Sequence, residues 1–187
     1  MVYVHFAEGF EEIEAVTIVD VLRRAGVETK SVSMTGDLNV RGSHGIPVRA
    51  DILFENANYN NCVMIVLPGG MPGSKNLQDH KGLASNINSF AQNNKYLAAI
   101  CAAPMVFGKM GILEGKNATI YPSMEENLIG ANVKADRVVI DGNIITSKAP
   151  GTAMEFSLAL VGILKSKEEA KKLGESMSVV QGFVNVL

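Results

Sequence analysis

The stretch Tyr96-Leu97-Ala98-Ala99-Ile100-Cys101-Ala102-Ala103-Pro104 decides the fold of this chain. Its first five residues form an unbroken apolar run, which is typical of a buried strand in a parallel sheet that is covered on both faces. Pro104 then favours the first turn of a helix. The stretch therefore predicts a strand that ends in a sharp turn at Cys101, with a helix over residues 105–110 directly behind it.

The position of Cys101 makes it the first candidate for a catalytic residue. A thiol at the start of a helix faces free N–H groups and the positive end of the helix dipole, and both stabilise a thiolate. We therefore predict that the pKa of Cys101 lies below the ordinary value of about 8.5. The alternative for Cys101 is a packing role in the core, which is the commoner role of a lone cysteine. We assign a packing role to Cys62, the other cysteine.

The segments on either side of this stretch alternate between strand-like and helix-like patterns. We predict strands over residues 2–6, 27–34, 63–67 and 118–121, and hairpins over residues 40–48 and 138–146. We predict helices over residues 11–25, 83–93, 125–129, 152–164 and 168–182. This alternation predicts an α/β fold, in which a largely parallel sheet carries helices on both faces. Active sites in such folds lie beyond the carboxyl ends of the strands, where the loops 7–10 and 68–73 join the turn at Cys101.

The composition fits one globular domain over residues 1–187 and argues against several classes of protein. The chain has 187 residues, of which 47% are hydrophobic, and a net charge of −2, which argues against disorder and against a nucleic-acid partner. No apolar run approaches the roughly 20 residues that cross a bilayer, and the start of the chain lacks the pattern of a signal peptide. Two cysteines form no disulfide framework, and three histidines indicate no metal site. We therefore expect a cytoplasmic protein without membrane contact.

A carboxyl group on the apolar face of the first predicted helix is the second candidate. Residues 11–14, Glu-Glu-Ile-Glu, open that helix, and acidic groups in a first turn complement the helix dipole. This role suits Glu11 and Glu12, and we place Glu12 at the rim of the helix. At about 100° per residue, Glu14 instead lies on the apolar stripe. A buried carboxyl group needs a partner or a raised pKa, and the thiol of Cys101 is a suitable partner.

A glycine-rich loop, Pro68-Gly69-Gly70, follows the predicted strand over residues 63–67. Glycine lets backbone N–H groups approach a ligand without a Cβ atom in the way. The N–H groups of Gly70 and Ala102 are therefore candidates for an oxyanion hole, with Gly69 beside them. The alternative is a flexible connection. A phosphate loop is excluded, because the Lys-Ser/Thr ending is missing and prolines remove donors.

The three histidines stand apart from Cys101 in the sequence, since Ala102 follows the thiol directly. A Cys–His pair therefore requires approach through the tertiary structure. We place His5, in the first predicted strand, in the core and His80 on the surface. His44 lies in the first predicted hairpin, and we place it within reach of the site of a neighbouring subunit.

Five stretches of the chain resemble the ThiJ/PfpI superfamily, in the branch of the parkinsonism-associated protein deglycase and the bacterial ThiJ-like proteins. The resemblance covers essentially the whole chain, and it is carried by residues 11–16, 19–26, 66–70, 98–104 and 146–152, which read EEIEAV, VDVLRRAG, VLPGG, AAICAAP and TSKAPGT. It implies a flavodoxin-like three-layer αβα sandwich with a mostly parallel sheet, similar to class I glutamine amidotransferases. It also implies a homodimer.

The resemblance assigns roles to four of the candidate residues. It implies that Cys101 is the reactive, oxidation-prone nucleophile and that Glu14 is the protonated carboxyl group that hydrogen-bonds it. Gly70 and Ala102 match the oxyanion-type donors of the family.

The chain also departs from the family pattern. The protease-like branch has a histidine directly after the cysteine, and Ala102 excludes that arrangement. Tyr121 stands where the deglycase branch often has a histidine, and His44 replaces an arginine that approaches the site across the dimer. The group that assists Cys101 besides Glu14 is therefore left open between a histidine and Tyr121.

Two classes of function follow from these residues and from the resemblance. The first is a cofactor-free cysteine enzyme that acts on α-oxoaldehydes such as methylglyoxal, as a glyoxalase III does, or on early glycation adducts, as a deglycase does. The alternative is a non-enzymatic, redox-responsive stress protein or chaperone in which Cys101 is oxidised. A role in thiamine-precursor metabolism, the historical name of the family, has no supporting feature in the sequence.

Overall fold

The computed structural model describes residues 1–179 and is built around one large sheet. The strands are β1 (Val2–Phe6), β2 (Thr29–Ser33), β3 (Asn39–Arg41), β4 (Pro47–Arg49), β5 (Ile52–Leu53), β6 (Met64–Leu67), β7 (Tyr96–Ile100), β8 (Asn117–Ala118), β9 (Asn132–Val133), β10 (Val138–Asp141) and β11 (Ile144–Ser147). The main sheet has the order β10-β11-β7-β6-β1-β2-β5, and β10 alone runs antiparallel to its neighbour. The predicted mostly parallel sheet is thereby confirmed.

The helices cover both faces of this sheet. They are α1 (Glu12–Arg24), α2 (Gly73–Asp79), α3 (Lys81–Gln92), α4 (Pro104–Lys109), α5 (Ala153–Leu164) and α6 (Lys167–Ser176). Because side chains alternate along a strand, Ala98 and Ile100 pack with α1, α5 and α6, whereas Leu97 and Ala99 pack with α2, α3 and α4. The result is the flavodoxin-like three-layer αβα sandwich that the resemblance implied.

The helix α1 is well defined at both ends by its own sequence. The side chain of Glu11 caps the start, because it accepts a hydrogen bond from the N–H of Glu14 at 2.8 Å. The end is set by Gly26, whose φ of +67° belongs to the left-handed region that closes many helices. The apolar stripe between them, which includes Ile18 and Leu22, is fully buried. The cap therefore fixes the helix where it reaches the carboxyl edge of the sheet.

Two local predictions are wrong, and one helix was not predicted. The strand predicted over residues 118–121 is reduced to β8, which pairs with β9 outside the main sheet, because the N–H of Thr119 donates to the side chain of Thr146 at 2.9 Å. The helix predicted over residues 125–129 is a single 3₁₀ turn, Glu125–Asn127. The helix α2, which begins inside the glycine-rich loop, was not predicted.

The last predicted helix, over residues 168–182, is shorter than expected. The helix α6 ends at Ser176, and Ser178 adopts a φ of +56° that is incompatible with its continuation. The predicted residues 180–182 lie outside the described part of the chain. Among residues 1–179, no helix is both long enough and apolar enough to cross a membrane.

Candidate active site

The candidate site lies at the carboxyl edge of the sheet, where β7, β6 and β1 are neighbours. The segments that follow these strands are tied together by backbone hydrogen bonds. The N–H of Glu11 donates to the carbonyl of Gly69 at 2.9 Å, and the N–H of Gly73 donates to the carbonyl of Gly9 at 3.1 Å. The loops that were expected to meet near Cys101 are therefore joined there.

Cys101 occupies a strained turn. Its φ of +62° lies in the left-handed region, which costs a residue other than glycine roughly 1–2 kcal/mol. Two backbone hydrogen bonds hold the turn, since the N–H of Cys101 donates to the carbonyl of Ser147 at 2.9 Å and the N–H of Tyr121 donates to the carbonyl of Cys101 at 2.8 Å. The residue is 7% exposed, so the thiol is buried without being sealed from solvent.

The helix behind Cys101 begins one residue earlier than predicted, yet its first turn does not include the thiol. α4 starts at Pro104, with Ala103 as its N-cap residue, so Cys101 lies ahead of the helix and outside its first turn. The N–H of Ala103 turns back to the carbonyl of Ile100 at 3.0 Å. The stabilisation that a helix dipole gives to an anion falls off within the first turn, so the dipole acts weakly on this thiol.

Glu14 lies where the sequence placed it, on the buried face of α1. Its side chain is fully buried, and Oε2 accepts a hydrogen bond from the N–H of Gly69 at 2.7 Å. Oε1 has no well-formed hydrogen bond among residues 1–179, although the carboxyl group lies beside the thiol of Cys101. One carboxylate oxygen is therefore held in place, and the other remains available to take a proton.

The contact between Glu14 and Cys101 depends on a glycine. A Cβ atom at Gly69 would lie 2.6 Å from the Cβ of Cys101 and 2.8 Å from Oε2 of Glu14. These distances are shorter than van der Waals contact, so any side chain at this position would push the two groups apart. The first glycine of the loop therefore makes room for the pair.

The thiol and the carboxyl group change each other's acidity. Burial raises the pKa of Glu14 to about 8, against the lowering effect of the N–H of Gly69. Burial and the neighbouring Glu14 carboxylate raise the pKa of Cys101 above its ordinary value, and the N–H groups of Ala102 and Gly70 oppose this shift. The prediction of a lowered thiol pKa is therefore wrong. The two groups titrate as a pair that loses one proton near pH 8 and resists the loss of the second.

The predicted oxyanion donors divide into two kinds. The N–H groups of Gly70 and Ala102 both act on the sulfur of Cys101, so they lie together at the site as predicted. The N–H of Gly69 is engaged by Glu14 instead, which removes Gly69 from the candidate oxyanion donors. Gly70 has a φ of +88°, and a Cβ atom there would lie 2.4 Å from the backbone nitrogen of Glu11. Both glycines of the loop are therefore required by close approach.

His44 contacts its own chain rather than Cys101. Its Nδ1 lies 2.9 Å from Oε2 of Glu12, and its backbone N–H donates to Oε1 of the same carboxylate at 2.8 Å. The placement of Glu12 at the rim of the helix is wrong, because the hairpin between β3 and β4 covers it and leaves it 6% exposed. The sequence offered no signal for this contact, since 32 positions separate Glu12 from His44.

One group of side chains among residues 1–179 has the spacing of metal ligands. The nearest ligand atoms of Glu11, Glu12 and His44 all lie within 4.8 Å of one another. These groups already have partners, because Glu11 caps α1 and Glu12 accepts hydrogen bonds from the hairpin. Cys101 does not belong to this group.

The remaining titratable candidates lie away from the thiol. His5 is fully buried, its Nδ1 donates to the carbonyl of Val66 and its Nε2 accepts from the hydroxyl of Tyr59 at 2.7 Å, while burial lowers its pKa to about 4. His80 caps α3. Cys62 is buried, and its Sγ lies 3.2 Å from the carbonyl of Met64. The assignments of His5 to the core and of Cys62 to packing are therefore consistent with the structure.

Tyr121 reaches the site through its backbone. Its N–H holds the carbonyl of Cys101, and its side chain is largely exposed. The structure therefore brings together Cys101, Glu14, Gly70 and Ala102, with Tyr121 at the border and His44 on a separate contact.

The fold and the site define a class: a flavodoxin-like α/β protein that carries a buried thiol on a strained turn, with a carboxyl group beside it. Residues 1–163 match the DJ-1/PfpI family, and the chain belongs to that family. The recognition made from the sequence motifs is thereby confirmed.

Individual relatives are similar over most of this chain. Protein DJ-1 homolog A of Arabidopsis thaliana is 40% identical over 95% of the chain, which spans 46% of that relative. A protein of the archaeon Pyrococcus abyssi that is named a deglycase is 30% identical, over 85% of this chain and 96% of its own. The structure of oxidised Toxoplasma gondii DJ-1 superimposes with a TM-score of 0.91 at 37% identity, over 95% of this chain and 97% of the other.

Proposed function

We propose that this protein is a cofactor-free cysteine enzyme that acts on α-oxoaldehydes such as methylglyoxal and glyoxal, or on early glycation adducts. The observation that carries the proposal is the buried pair of Cys101 and Glu14 beneath the N–H groups of Gly70 and Ala102. Membership of a family in which an archaeal relative is named a deglycase supports the same chemistry.

The first step is the addition of the thiol to the aldehyde carbon. The sulfur–carbon bond forms as the π electrons of the carbonyl group move to its oxygen, where the N–H groups of Gly70 and Ala102 stabilise the developing charge. Glu14 accepts the proton of the Cys101 thiol and passes it to that oxygen. The product of this step is a hemithioacetal. A base whose pKa is about 8 is well matched to such a transfer near neutral pH.

Glu14 then moves a second proton. Its carboxylate takes the proton from the carbon that bears sulfur, which gives an enediolate, and returns it to the neighbouring carbon, while the hydroxyl proton of the hemithioacetal passes to the oxygen of that neighbouring carbon. The result is a thioester of a 2-hydroxy acid on Cys101. Water hydrolyses this thioester, so methylglyoxal yields lactate, glyoxal yields glycolate, and the thiol is regenerated. The sequence of steps consumes one water and requires no external oxidant or reductant.

A second copy of the chain is part of the proposal. α1 and the adjacent hairpin expose three large apolar side chains, Ile13, Val16 and Ile46, which are 59%, 47% and 56% exposed. Apolar groups gathered on one face favour association between proteins. We infer that this face forms the homodimer that the family resemblance implied.

The direct test is to identify the product of the wild-type protein with methylglyoxal, in a buffer without glutathione. We expect one lactate to appear for each methylglyoxal consumed, and nuclear magnetic resonance measures both compounds. A parallel reaction with a preformed methylglyoxal–amine hemiaminal compares the free aldehyde with the glycation adduct. Loss of methylglyoxal without lactate, or no loss beyond the buffer rate, would contradict the proposal.

A redox role is the second candidate function, and the position of Cys101 supports it. The two N–H groups that act on its sulfur are also suited to hold the oxygens of a sulfinate. Peptide mass spectrometry after mild peroxide treatment tests this role. We expect Cys101 to be oxidised to sulfinate while Cys62, which is fully buried, is spared. Equal oxidation of both cysteines would rule it out.

A further inference from the structure

A buried carboxylate outside the thiol–carboxyl pair holds the hairpin loop, residues 42–46 between β3 and β4, to the start of α1. Oε1 of Glu12 accepts hydrogen bonds from the N–H groups of His44 at 2.8 Å and Ile46 at 3.3 Å. Oε2 accepts from the hydroxyl of Ser43 at 3.3 Å and lies 2.9 Å from Nδ1 of His44. One carboxylate therefore meets four polar groups of a loop that is distant in sequence.

The packing around this carboxylate is too close for any side chain at Gly42. A Cβ atom there would lie 2.2 Å from Cδ of Glu12. Backbone bonds strengthen the same junction, since the N–H of Ser43 donates to the carbonyl of Phe10 and the N–H of Gly9 donates to the carbonyl of Arg41, both at 2.8 Å. Hydrogen bonds and close packing therefore join the hairpin loop and the segment before α1 into one unit.

This unit is continuous with the catalytic pair. Glu11, next to Glu12, caps α1 through the N–H of Glu14 and donates its own N–H to the carbonyl of Gly69. Gly69 in turn donates its N–H to Glu14, the carboxyl group beside Cys101. A displacement of the first turn of α1 would therefore move Glu14 relative to the thiol.

We propose that Glu12 is a positioning residue, whose carboxylate fastens the hairpin loop to the first turn of α1 and thereby fixes Glu14 against Cys101. The inference rests on the proposed function, because it assigns to Glu12 the placement of the group that moves the proton. Glu12 itself does not touch the thiol. The loss of its carboxylate leaves the loop amides of His44 and Ile46 without their acceptor.

The test compares Glu12→Ala with Glu12→Gln, which keeps an acceptor oxygen for the two amides, and with Gly42→Ala, which disturbs the contact from the hairpin side. Glu8→Ala is the matched control, because Glu8 also accepts an N–H from the hairpin, that of Arg41 at 3.2 Å, but is exposed and precedes α1. Two readouts are used. The exchange rate of the Gly69 amide reports the position of Glu14, and kcat and KM for methylglyoxal report its consequence.

We expect Glu12→Ala and Gly42→Ala to speed the exchange of the Gly69 amide and to lower kcat by about 10²-fold with little change in KM, as small misplacements of catalytic groups do. In Glu12→Gln the exchange rate of the Gly69 amide and kcat should return most of the way to their wild-type values. In Glu8→Ala neither quantity should change. The proposal is overturned if the folded Glu12→Ala protein keeps wild-type exchange and kcat, if Glu12→Gln fails to restore them, or if Glu8→Ala is equally damaging. If Glu12→Ala fails to fold, the same two measurements on Gly42→Ala and Glu12→Gln decide whether Glu12 has the positioning role.

The two readouts also separate this proposal from the proposed function. Without any wild-type turnover of methylglyoxal the proposed chemistry fails, yet the Gly69 amide still shows whether Glu12 sets the position of Glu14. Normal turnover in Glu12→Ala with normal amide exchange refutes the positioning role alone.

Discussion

Glu14 and Cys101 share one buried environment, and this decides the charge that the site can hold. Two anions side by side in a low dielectric repel each other strongly, so the pair loses one proton and retains the other. The state with one proton contains both a nucleophile and a base, whereas the fully protonated state contains no base. Activity is therefore expected to follow the first ionisation of the pair.

The pH dependence of turnover tests this assignment. The pKa of Glu14 is raised to about 8, so the active, singly ionised pair accumulates as the pH rises through that value. We expect kcat/KM for methylglyoxal to increase with pH and to level off above the ionisation of the pair. A profile that is flat between pH 6 and about 9 would contradict the coupling of the two groups.

Glu14→Gln separates the chemical role of the carboxyl group from its structural role. The amide keeps the shape of the side chain but cannot accept and return a proton, so we expect turnover to fall by about 10²–10⁴-fold.

The pH dependence of stability should run opposite to the pH dependence of turnover. Because burial raises the folded-state pKa from 4.5 to about 8, the carboxyl group contributes stability that is fully present below pH 4.5 and is lost as the pH rises towards 8.

Thermal midpoints at pH 5 and pH 8 therefore give a second measure of the same variant. The wild-type midpoint should fall over this interval, and the fall should be smaller in Glu14→Gln. Glu8→Gln, which changes an exposed carboxyl group of the same edge, is the control. Equal loss of activity in Glu8→Gln would show that the assignment of the proton transfer to Glu14 is wrong.

At the scale of elements, the sequence predicted best what depends on local pattern. The unbroken apolar run of β7 and the capped, amphipathic α1 were placed within one residue of their observed bounds. The length of β8 and the burial of Glu12 were not predicted, because each is decided by a partner from elsewhere in the chain. For Glu12 that partner is the hairpin, and for β8 it is the side chain of Thr146.

The candidate site follows the same rule. Cys101 and Glu14 could be predicted because a strand end and a helix stripe are periodic features, and Gly70 because glycine is distinctive in a loop. The sign of the thiol pKa could not be predicted, because it depends on how deeply both groups are buried and on their mutual contact. The use of the Gly69 N–H by Glu14 was likewise invisible in the sequence.

Gly69→Ala tests the packing between two elements. The added methyl group would lie 2.6 Å from the Cβ of Cys101, so the glycine loop must move away from the thiol. We expect a loss of stability of about 1–3 kcal/mol, as in other overpacked sites, together with loss of methylglyoxal turnover. Gly151→Ala is the control, since a Cβ atom at Gly151 meets nothing within 4 Å. A Gly69→Ala protein with wild-type stability and turnover would contradict the close contact.

At the scale of the whole molecule, the sandwich places the carboxyl group of Glu14 and the exposed apolar face on the same helix. α1 carries Glu14 on its buried side and Ile13 and Val16 on its exposed side. A partner bound to this face would therefore restrain the helix that places the carboxyl group. We therefore expect association through this face to affect the placement of Glu14.

The oligomeric state is the corresponding prediction. We expect multi-angle light scattering at micromolar concentration to give a mass of about two chains for the wild type, because burial of large apolar side chains favours association. Ile13→Glu should shift the mass towards one chain, whereas Ile140→Glu, at an exposed apolar residue of β10, should not. A wild type that is monomeric at this concentration would contradict the proposed dimer.

The most direct test of Cys101 as the nucleophile is the steady-state loss of methylglyoxal in wild type and Cys101→Ser, with Cys62→Ser as the matched control. Serine keeps the size of the side chain but is a far weaker nucleophile at neutral pH. We expect Cys101→Ser to retain no turnover above the buffer rate and Cys62→Ser to retain the turnover of the wild type. A Cys101→Ser protein that consumes methylglyoxal as fast as the wild type would show that Cys101 is not the nucleophile.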